Sequence, residues 1–166
     1  MRLNIWLGAA LLLLTAACSP HAASGGTAAP AASGTAAAAV HPISGLAVIP
    51  LSITASGAVH RFQVEVVRSD AEQEKGLMFR TKMGADEGMI FPMHPPRSAA
   101  FWMRNTVIPL DIIFIGSDHR ILNIAANAVP YDETPLPSRG AAAGVLELNG
   151  GRASQLGIGP GDRVDW

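Results

Sequence analysis

Hydrophobic and polar residues alternate in short runs over residues 46–166, and turn residues separate the runs. Residues 46–54 are rich in apolar and β-branched side chains, and Ser56-Gly57 is a turn signal. In the run that follows, apolar residues alternate with polar ones: Phe62, Val64 and Val66 against Arg61, Gln63 and Glu65. A period of two is typical of a strand with one buried and one wet face. A β-hairpin is therefore predicted here, with Glu65 on the wet face.

Two short helices interrupt the strand pattern. Ser69-Asp70-Ala71-Glu72 has the form of a capping box, in which a serine oxygen and a glutamate carboxylate satisfy free amide groups at a helix start. This helix is expected to run to about Lys75 and to end at Gly76. A second short helix is predicted around residues 152–156, before a glycine-rich turn.

Further strands are predicted at residues 88–91, 100–103, 110–115, 120–125, 145–148 and 163–164. Residues 112–115 are all apolar, which indicates a central strand buried on both faces. Many short strands joined by Gly and Pro turns predict a mainly β fold, a small barrel-like or sandwich domain with one or two short helices.

The N-terminal residues have a different composition, which indicates export. Arg2 precedes an apolar stretch at residues 5–14, and small residues follow it, as in a signal peptide covering residues 1–17. Cys18 is the sole cysteine of the chain, so it cannot form an internal disulfide. Its position after Leu14-Thr15-Ala16-Ala17 resembles a bacterial lipobox, which implies that Cys18 is lipidated and anchors the protein to a membrane.

Residues 18–45 are predicted to be the lipid-attachment cysteine followed by a flexible tether. They consist mostly of Ala, Gly, Ser, Thr and Pro, with little to bury in a core. A coil of this length reaches roughly 30 Å. The β-rich domain is expected to occupy residues 46–166, on the periplasmic side of the cell envelope. Ser19 after the cysteine resembles the sorting signals of outer-membrane lipoproteins.

Charge excludes one class of partner. The formal net charge of the 166 residues is −1, and no basic run is present, so nucleic-acid binding is not expected. The sequence has no catalytic Cys motif, no Gly-x-Ser-x-Gly elbow and no paired-histidine zinc motif. No cofactor and no metal site is predicted, and an enzymatic activity is not favoured.

Five sequence blocks resemble one family. They are Gly76-Leu77-Met78-Phe79-Arg80, Asp86-Glu87-Gly88-Met89-Ile90-Phe91, Phe101-Trp102-Met103-Arg104-Asn105-Thr106, Ile108-Pro109-Leu110-Asp111-Ile112-Ile113-Phe114 and Val145-Leu146-Glu147-Leu148-Asn149-Gly150-Gly151, with Gly161-Asp162 near the end. In this order they are similar to the domain of unknown function 192 family. The resemblance implies a small β-rich, barrel-like domain that is often exported and has no established biochemical activity.

The same blocks contain the candidate ligand-binding residues Arg80, Trp102, Asn105, Asp111 and Glu147. Asp111 opens a buried strand, so its carboxylate needs a partner, and Arg80 or Arg104 could supply a bidentate guanidinium. Two interpretations are open: a buried salt bridge that fixes the fold, which is favoured, or a ligand site around Asp111.

Trp102 and Glu147 also have two interpretations each. Trp102 is either a core residue or a platform for a flat or sugar-like ligand. Glu147 alternates with Leu146 and Leu148, so its side chain points away from them, either toward solvent or toward a pocket. Of these two, a position facing solvent is expected.

The predicted function is a non-catalytic, membrane-anchored envelope module that binds a small ligand, a glycan or a partner protein. One alternative is an envelope hydrolase that uses Asp111 and Glu147 as acid and base. Another is a copper-binding protein, since thioethers and imidazole bind Cu(I) and the domain contains Met78, Met83, Met89, Met93, His94 and Met103. Core filling is the favoured role of these methionines, and only the stretch from Met93 to Pro96 is expected to be exposed.

Overall fold

The computed structural model describes residues 39–166, which form ten strands and two short helices. The elements are β1 (Ala39–Val40), β2 (Ala47–Ala55), β3 (Ala58–Val66), α1 (Asp70–Lys75), β4 (Glu87–Arg97), β5 (Ala100–Phe101), β6 (Leu110–Ile115), β7 (Ile121–Ala128), β8 (Leu136–Pro137), β9 (Ala142–Asn149), α2 (Arg152–Gln155) and β10 (Arg163–Asp165). The predicted mainly β fold with two short helices is confirmed.

One mixed sheet dominates the domain, in the order β1-β2-β3-β4-β9-β6-β7. The β3–β4 pair is parallel, and the segment containing α1 makes the crossover that parallel strands require. At one end β10 pairs with β2 and also bonds the segment before β7, where the Val164 amide donates to the His119 carbonyl at 2.8 Å. The sheet therefore closes on itself in a barrel-like form. A second, small sheet pairs β5 with β8.

Helix α1 begins and ends as the sequence predicts. The Ser69 hydroxyl accepts a hydrogen bond from the Glu72 amide at 3.3 Å, and the Glu72 carboxylate accepts from the Ser69 amide at 2.9 Å. The Arg68 amide and the Ser69 amide both donate to the Glu72 carboxylate and hold the pKa of this carboxyl below its ordinary value. Gly76 ends the helix with a positive φ of 45°.

The two faces of the sheet pack into two separate apolar cores. One core contains Leu51, Phe62 and Leu146, and the other contains Met89, Phe91 and Phe114. Strand β6 separates the two cores and is buried at every position, which confirms the central strand predicted from its uninterrupted apolar run.

Several boundaries differ from the predictions. Ordered structure begins before residue 46, because β1 pairs with β2 at Ala39 and Val40. Strand β4 runs on to Arg97 through Pro92, Pro95 and Pro96, where its register with β9 shifts. Proline lacks an amide donor, so a strand containing it is difficult to predict.

Two further expectations, on exposure and on strand length, are confirmed only in part. Met93 is 2% exposed and belongs to a core, whereas its neighbour His94 is exposed. The strand predicted at residues 100–103 is only two residues long, because its partner β8 is equally short.

The predicted signal peptide at residues 1–17, the predicted lipidation site Cys18 and the predicted tether up to residue 38 lie outside the described residues. Among the helices of residues 39–166, none has the length and apolar character needed to cross a bilayer.

Candidate functional site

Glu147 is buried in the centre of the sheet. It lies on β9 between Met89 of β4 and Ile112 of β6, its direct partners in the two neighbouring strands. Its side chain therefore shares a face with these two apolar residues, and Glu147 is only 5% exposed. The expectation that Glu147 faces solvent is wrong. Alternation correctly separated it from Leu146 and Leu148, but both faces of β9 are covered.

The Glu147 carboxyl is incompletely satisfied. Its Oε2 atom is buried and has no hydrogen-bond partner within residues 39–166. Burial without compensating bonds disfavours the charged form and raises the pKa of Glu147 to about 8. At neutral pH the group is therefore a protonated carboxylic acid, which can donate one hydrogen bond and accept others.

A cleft opens above Glu147, with a cavity volume of about 960 Å³. We call it the Glu147 cleft. Its walls come from α1, the end of β4 and the segment around residues 100–106. Its lining includes Lys75, Arg97, Phe101, Trp102, Arg104 and Glu147. The cleft thus combines one buried acid, three cations and several aromatic rings.

Trp102 lies on the surface at this cleft rather than in a core. Phe101 is the anchor, because its ring packs edge-on against Phe91 at 5.1 Å and Phe114 at 6.2 Å between centroids. The next side chain consequently points outward, and Trp102 is 48% exposed. The Arg104 guanidinium lies 5.8 Å from the centre of the Trp102 ring, within the range of a cation–π contact.

Asn105 shapes the turn that carries these residues. It has a positive φ of 54°, a conformation that Asn tolerates better than most residues. Its carbonyl accepts a hydrogen bond from the Phe79 amide at 2.9 Å, and its side-chain amide lies 3.7 Å from the Met78 sulfur. Asn105 therefore holds the segment after α1 against the turn, and it also lines the cleft.

Asp111 has a different role from the one predicted. It is fully buried, and backbone amides rather than an arginine satisfy its carboxylate. Oδ1 accepts from Asn127 at 2.7 Å and Gly151 at 2.9 Å, and Oδ2 accepts from Ala153 at 2.8 Å. Asp111 therefore ties β7 and the start of α2 to β6. The favoured interpretation, a structural lock, is supported, but the predicted arginine partner is wrong.

Arg80 pairs with Glu65 instead of Asp111. Its two terminal nitrogens donate to the two Glu65 oxygens at 2.9 and 3.1 Å, and both side chains are buried. The His41 Nε2 atom lies 3.7 Å from Glu65 Oε1, beside the pair. The prediction that Glu65 lies on a wet face is wrong, because Arg80 and His41 cover this end of β3. Arg80 is thus occupied in an ion pair and does not line the Glu147 cleft.

The register of β6 and β9 separates the two carboxylates proposed for hydrolysis. Asp111 pairs with Leu148, while Glu147 pairs with Ile112. Directly paired residues share a face and successive residues alternate, so Asp111 and Glu147 point to opposite faces of the sheet. A hydrolase that uses these two groups as acid and base is therefore incompatible with the fold.

Three of the methionines lie together in one of the two cores. Met89, Met93 and Met103 are each at most 2% exposed among apolar side chains. Their burial among apolar residues favours core filling. Within residues 39–166, no three His, Cys, Asp or Glu side chains come together in a way that could hold a metal ion.

Sequence reasoning identified Trp102, Asn105 and Glu147 as candidates, and the fold brings these three to one cleft. It missed Lys75, Arg97 and Arg104 as components of that cleft. Arg104 could have been found from the sequence, because it lies two residues after Trp102 and an arginine close to an indole commonly packs on the ring. Lys75 and Arg97 gave no such signal, since only the tertiary fold brings α1 and the end of β4 together.

The fold and the cleft define a small, mainly β domain with a closed mixed sheet and a polar group buried under a surface cleft. A family model described as "DUF192: Uncharacterized ACR, COG1430" matches residues 51–166, and the chain belongs to this family.

The solved structures that resemble the chain include the following two. One is a protein of unknown function from Novosphingobium aromaticivorans DSM 12444, with 62% identity and a TM-score of 0.77, covering 80% of this chain and 94% of that one. The other, from Sinorhizobium meliloti 1021, is described as a "putative transcription regulator". It has 40% identity and a TM-score of 0.70, covering 72% of this chain and 94% of that one. No curated protein matches the chain.

Proposed function

We propose that this protein is an envelope lipoprotein whose domain binds a small ligand, without catalysis, in the Glu147 cleft. The observation that carries the proposal is the buried Glu147 carboxyl, whose Oε2 atom has no partner within residues 39–166. Leaving such a group unsatisfied costs about 1–3 kcal/mol, and a ligand that bonds to it would recover part of that cost. Unsatisfied buried polar groups therefore commonly mark binding sites.

The dimensions and chemistry of the cleft support the same function. Its volume of about 960 Å³ is suited to a small molecule. Trp102 and Phe101 offer apolar surface, while Glu147 and Asn105 offer groups that orient a ligand. More than half of the lining residues are polar or charged, so the cleft suits a ligand with several hydrogen-bonding groups.

Transcription regulation, the role named for the S. meliloti relative, is poorly supported for this chain. Regulators that bind DNA need a basic surface, because phosphate contacts supply most of their affinity. This chain has a formal net charge of −1 and no basic run. A ligand-binding role is therefore the better supported proposal.

Binding can be tested by NMR titration of the full-length protein in detergent with a panel of sugars, amides and carboxylic acids. At least one probe is expected to bind with a millimolar or tighter Kd. Glu147→Leu, which removes both the donor and the acceptor, and Trp102→Ala should each weaken that binding about tenfold, the loss of one hydrogen bond or one stacking contact. Glu133→Gln is the control, because Glu133 is exposed and does not line the cleft. Binding that is insensitive to both cleft variants, or no binding by any probe, would refute the proposal.

Membrane anchoring through Cys18 is a separate part of the proposal. Its support is the sequence: an apolar stretch at residues 5–14, small residues before Cys18, and no other cysteine. We place the domain on the periplasmic side of the envelope, attached to the outer membrane.

Cys18→Ser is expected to move the protein from the membrane fraction to the soluble fraction, because the lipid supplies the attachment. Cell fractionation with immunoblotting measures the change. His21→Ser, also in the predicted tether, should leave the protein in the membrane fraction. Mass spectrometry that found wild-type protein with an unmodified, intact N-terminus would contradict the anchor.

A further inference from the structure

We propose that the ligand of the Glu147 cleft is an acidic saccharide, a hydroxyl-bearing ring that carries a carboxylate. This inference rests on the proposed binding function and adds the chemical class of the ligand. Three features of the cleft carry it: two arginines without carboxylate partners, an exposed indole, and a buried acid whose Oε2 atom has no hydrogen-bond partner within residues 39–166.

Arg97 and Arg104 both line the cleft and are both exposed. The arginines in the ion pairs of residues 39–166 are Arg80, Arg152 and Arg163, so neither cleft arginine has a carboxylate partner in this part of the chain. A guanidinium binds a carboxylate with two parallel hydrogen bonds. The cleft therefore offers two donors of this kind to an anionic ligand.

The charged side chains that line the cleft give it a small positive net charge. Lys75 adds a third cation, and Asp70 and Glu74 of α1 add two exposed carboxylates. Glu147 is neutral at pH 7 because burial raises its pKa to about 8. One net positive charge remains, which favours an anionic ligand over a cationic one.

Trp102 and Glu147 favour a hydroxylated ring as the body of that ligand. The indole is 48% exposed beside Arg104, so part of its surface is available to pack against a ring. A protonated carboxyl both donates and accepts hydrogen bonds, as a sugar hydroxyl does. A ligand that is only a flat aromatic acid would leave Glu147 without a partner.

The inference is tested with three probes on the full-length protein: D-glucuronate, D-glucose and benzoate, each by NMR titration at low ionic strength. Glucuronate is expected to bind about tenfold more tightly than glucose, the worth of one charge-assisted contact. Benzoate lacks the hydroxyls and should also bind about tenfold more weakly than glucuronate.

The variants separate the contributions to binding. Arg97→Gln and Arg104→Gln should each lower the ratio of glucuronate affinity to glucose affinity, and Arg61→Gln, on an exposed site of β3 outside the cleft, should leave this ratio unchanged. Equal binding of glucose and glucuronate would show that the ligand need not be acidic, although the cleft would remain a binding site. Tighter binding of benzoate than of glucuronate would show that the ligand is not a saccharide. Absence of glucuronate binding would also overturn the inference, while the broader panel decides the binding function independently.

Discussion

Replacement of Asp111 by alanine is expected to lower the free energy of unfolding by about 4 kcal/mol or more, because a hydrogen bond to a charged group contributes about 1.5–3 kcal/mol. The variant would remove the bonds from the amides of Asn127, Gly151 and Ala153 together, of which the Ala153 bond is buried and the other two are partly buried. A small domain is stable by only about 5–15 kcal/mol, so Asp111→Ala is expected to be partly unfolded at 37 °C. Urea denaturation of the full-length protein, followed by circular dichroism, measures the loss.

Two further variants define the mechanism of this loss. Asp111→Asn retains one acceptor oxygen and therefore only part of the hydrogen bonds to the three amides. Its free energy of unfolding is expected to fall by about half as much as that of Asp111→Ala. Asp165→Ala removes a half-exposed carboxylate that pairs with Arg163, and should cost less than about 1 kcal/mol. If Asp111→Ala were as stable as Asp165→Ala, the structural lock assigned to Asp111 would be wrong.

Glu147→Gln is expected to remove a large pH dependence of stability. The ordinary pKa of the carboxyl is 4.5, whereas that of Glu147 in the folded protein is about 8. Between these values the unfolded chain loses its proton while the folded chain keeps it. Stability from Glu147 is therefore complete below pH 4.5 and declines as pH rises to about 8, by about 3–5 kcal/mol in total.

The measurement is the difference in unfolding free energy between Glu147→Gln and the wild type at pH 5 and at pH 8. The variant should gain about 3–5 kcal/mol relative to the wild type between these two pH values, since an amide does not titrate. Glu133→Gln, which alters an exposed carboxyl, should show no such gain. A difference that stays constant with pH would show that Glu147 is not desolvated in the folded protein.

These expectations give Glu147 and Asp111 opposite roles. Asp111 stabilises the fold because three amides satisfy its carboxylate. Glu147 lowers stability at neutral pH, since its acid is buried with an unpaired oxygen under a cleft. Groups that cost stability are often retained where a protein binds or reacts, and this contrast supports the cleft as the binding site.

The sequence by itself determined the local structure. Side-chain bonds between residues three apart cap α1, so Ser69 and Glu72 were sufficient to predict it. The uninterrupted apolar run of β6 was sufficient to predict a strand buried on both faces. The order of the sequence blocks also indicated the family, which the match over residues 51–166 confirms.

Only the tertiary structure decided which polar groups are buried and which partners they have. Alternation assigned Glu65 and Glu147 to the faces opposite their apolar neighbours, but it contains no information on what covers those faces. Arg80 and His41 cover Glu65, and the neighbouring strands and the cleft walls cover Glu147. Partners such as Asp111 and Ala153 are 42 residues apart in the chain, so their contact depends on how the strands are ordered in the sheet.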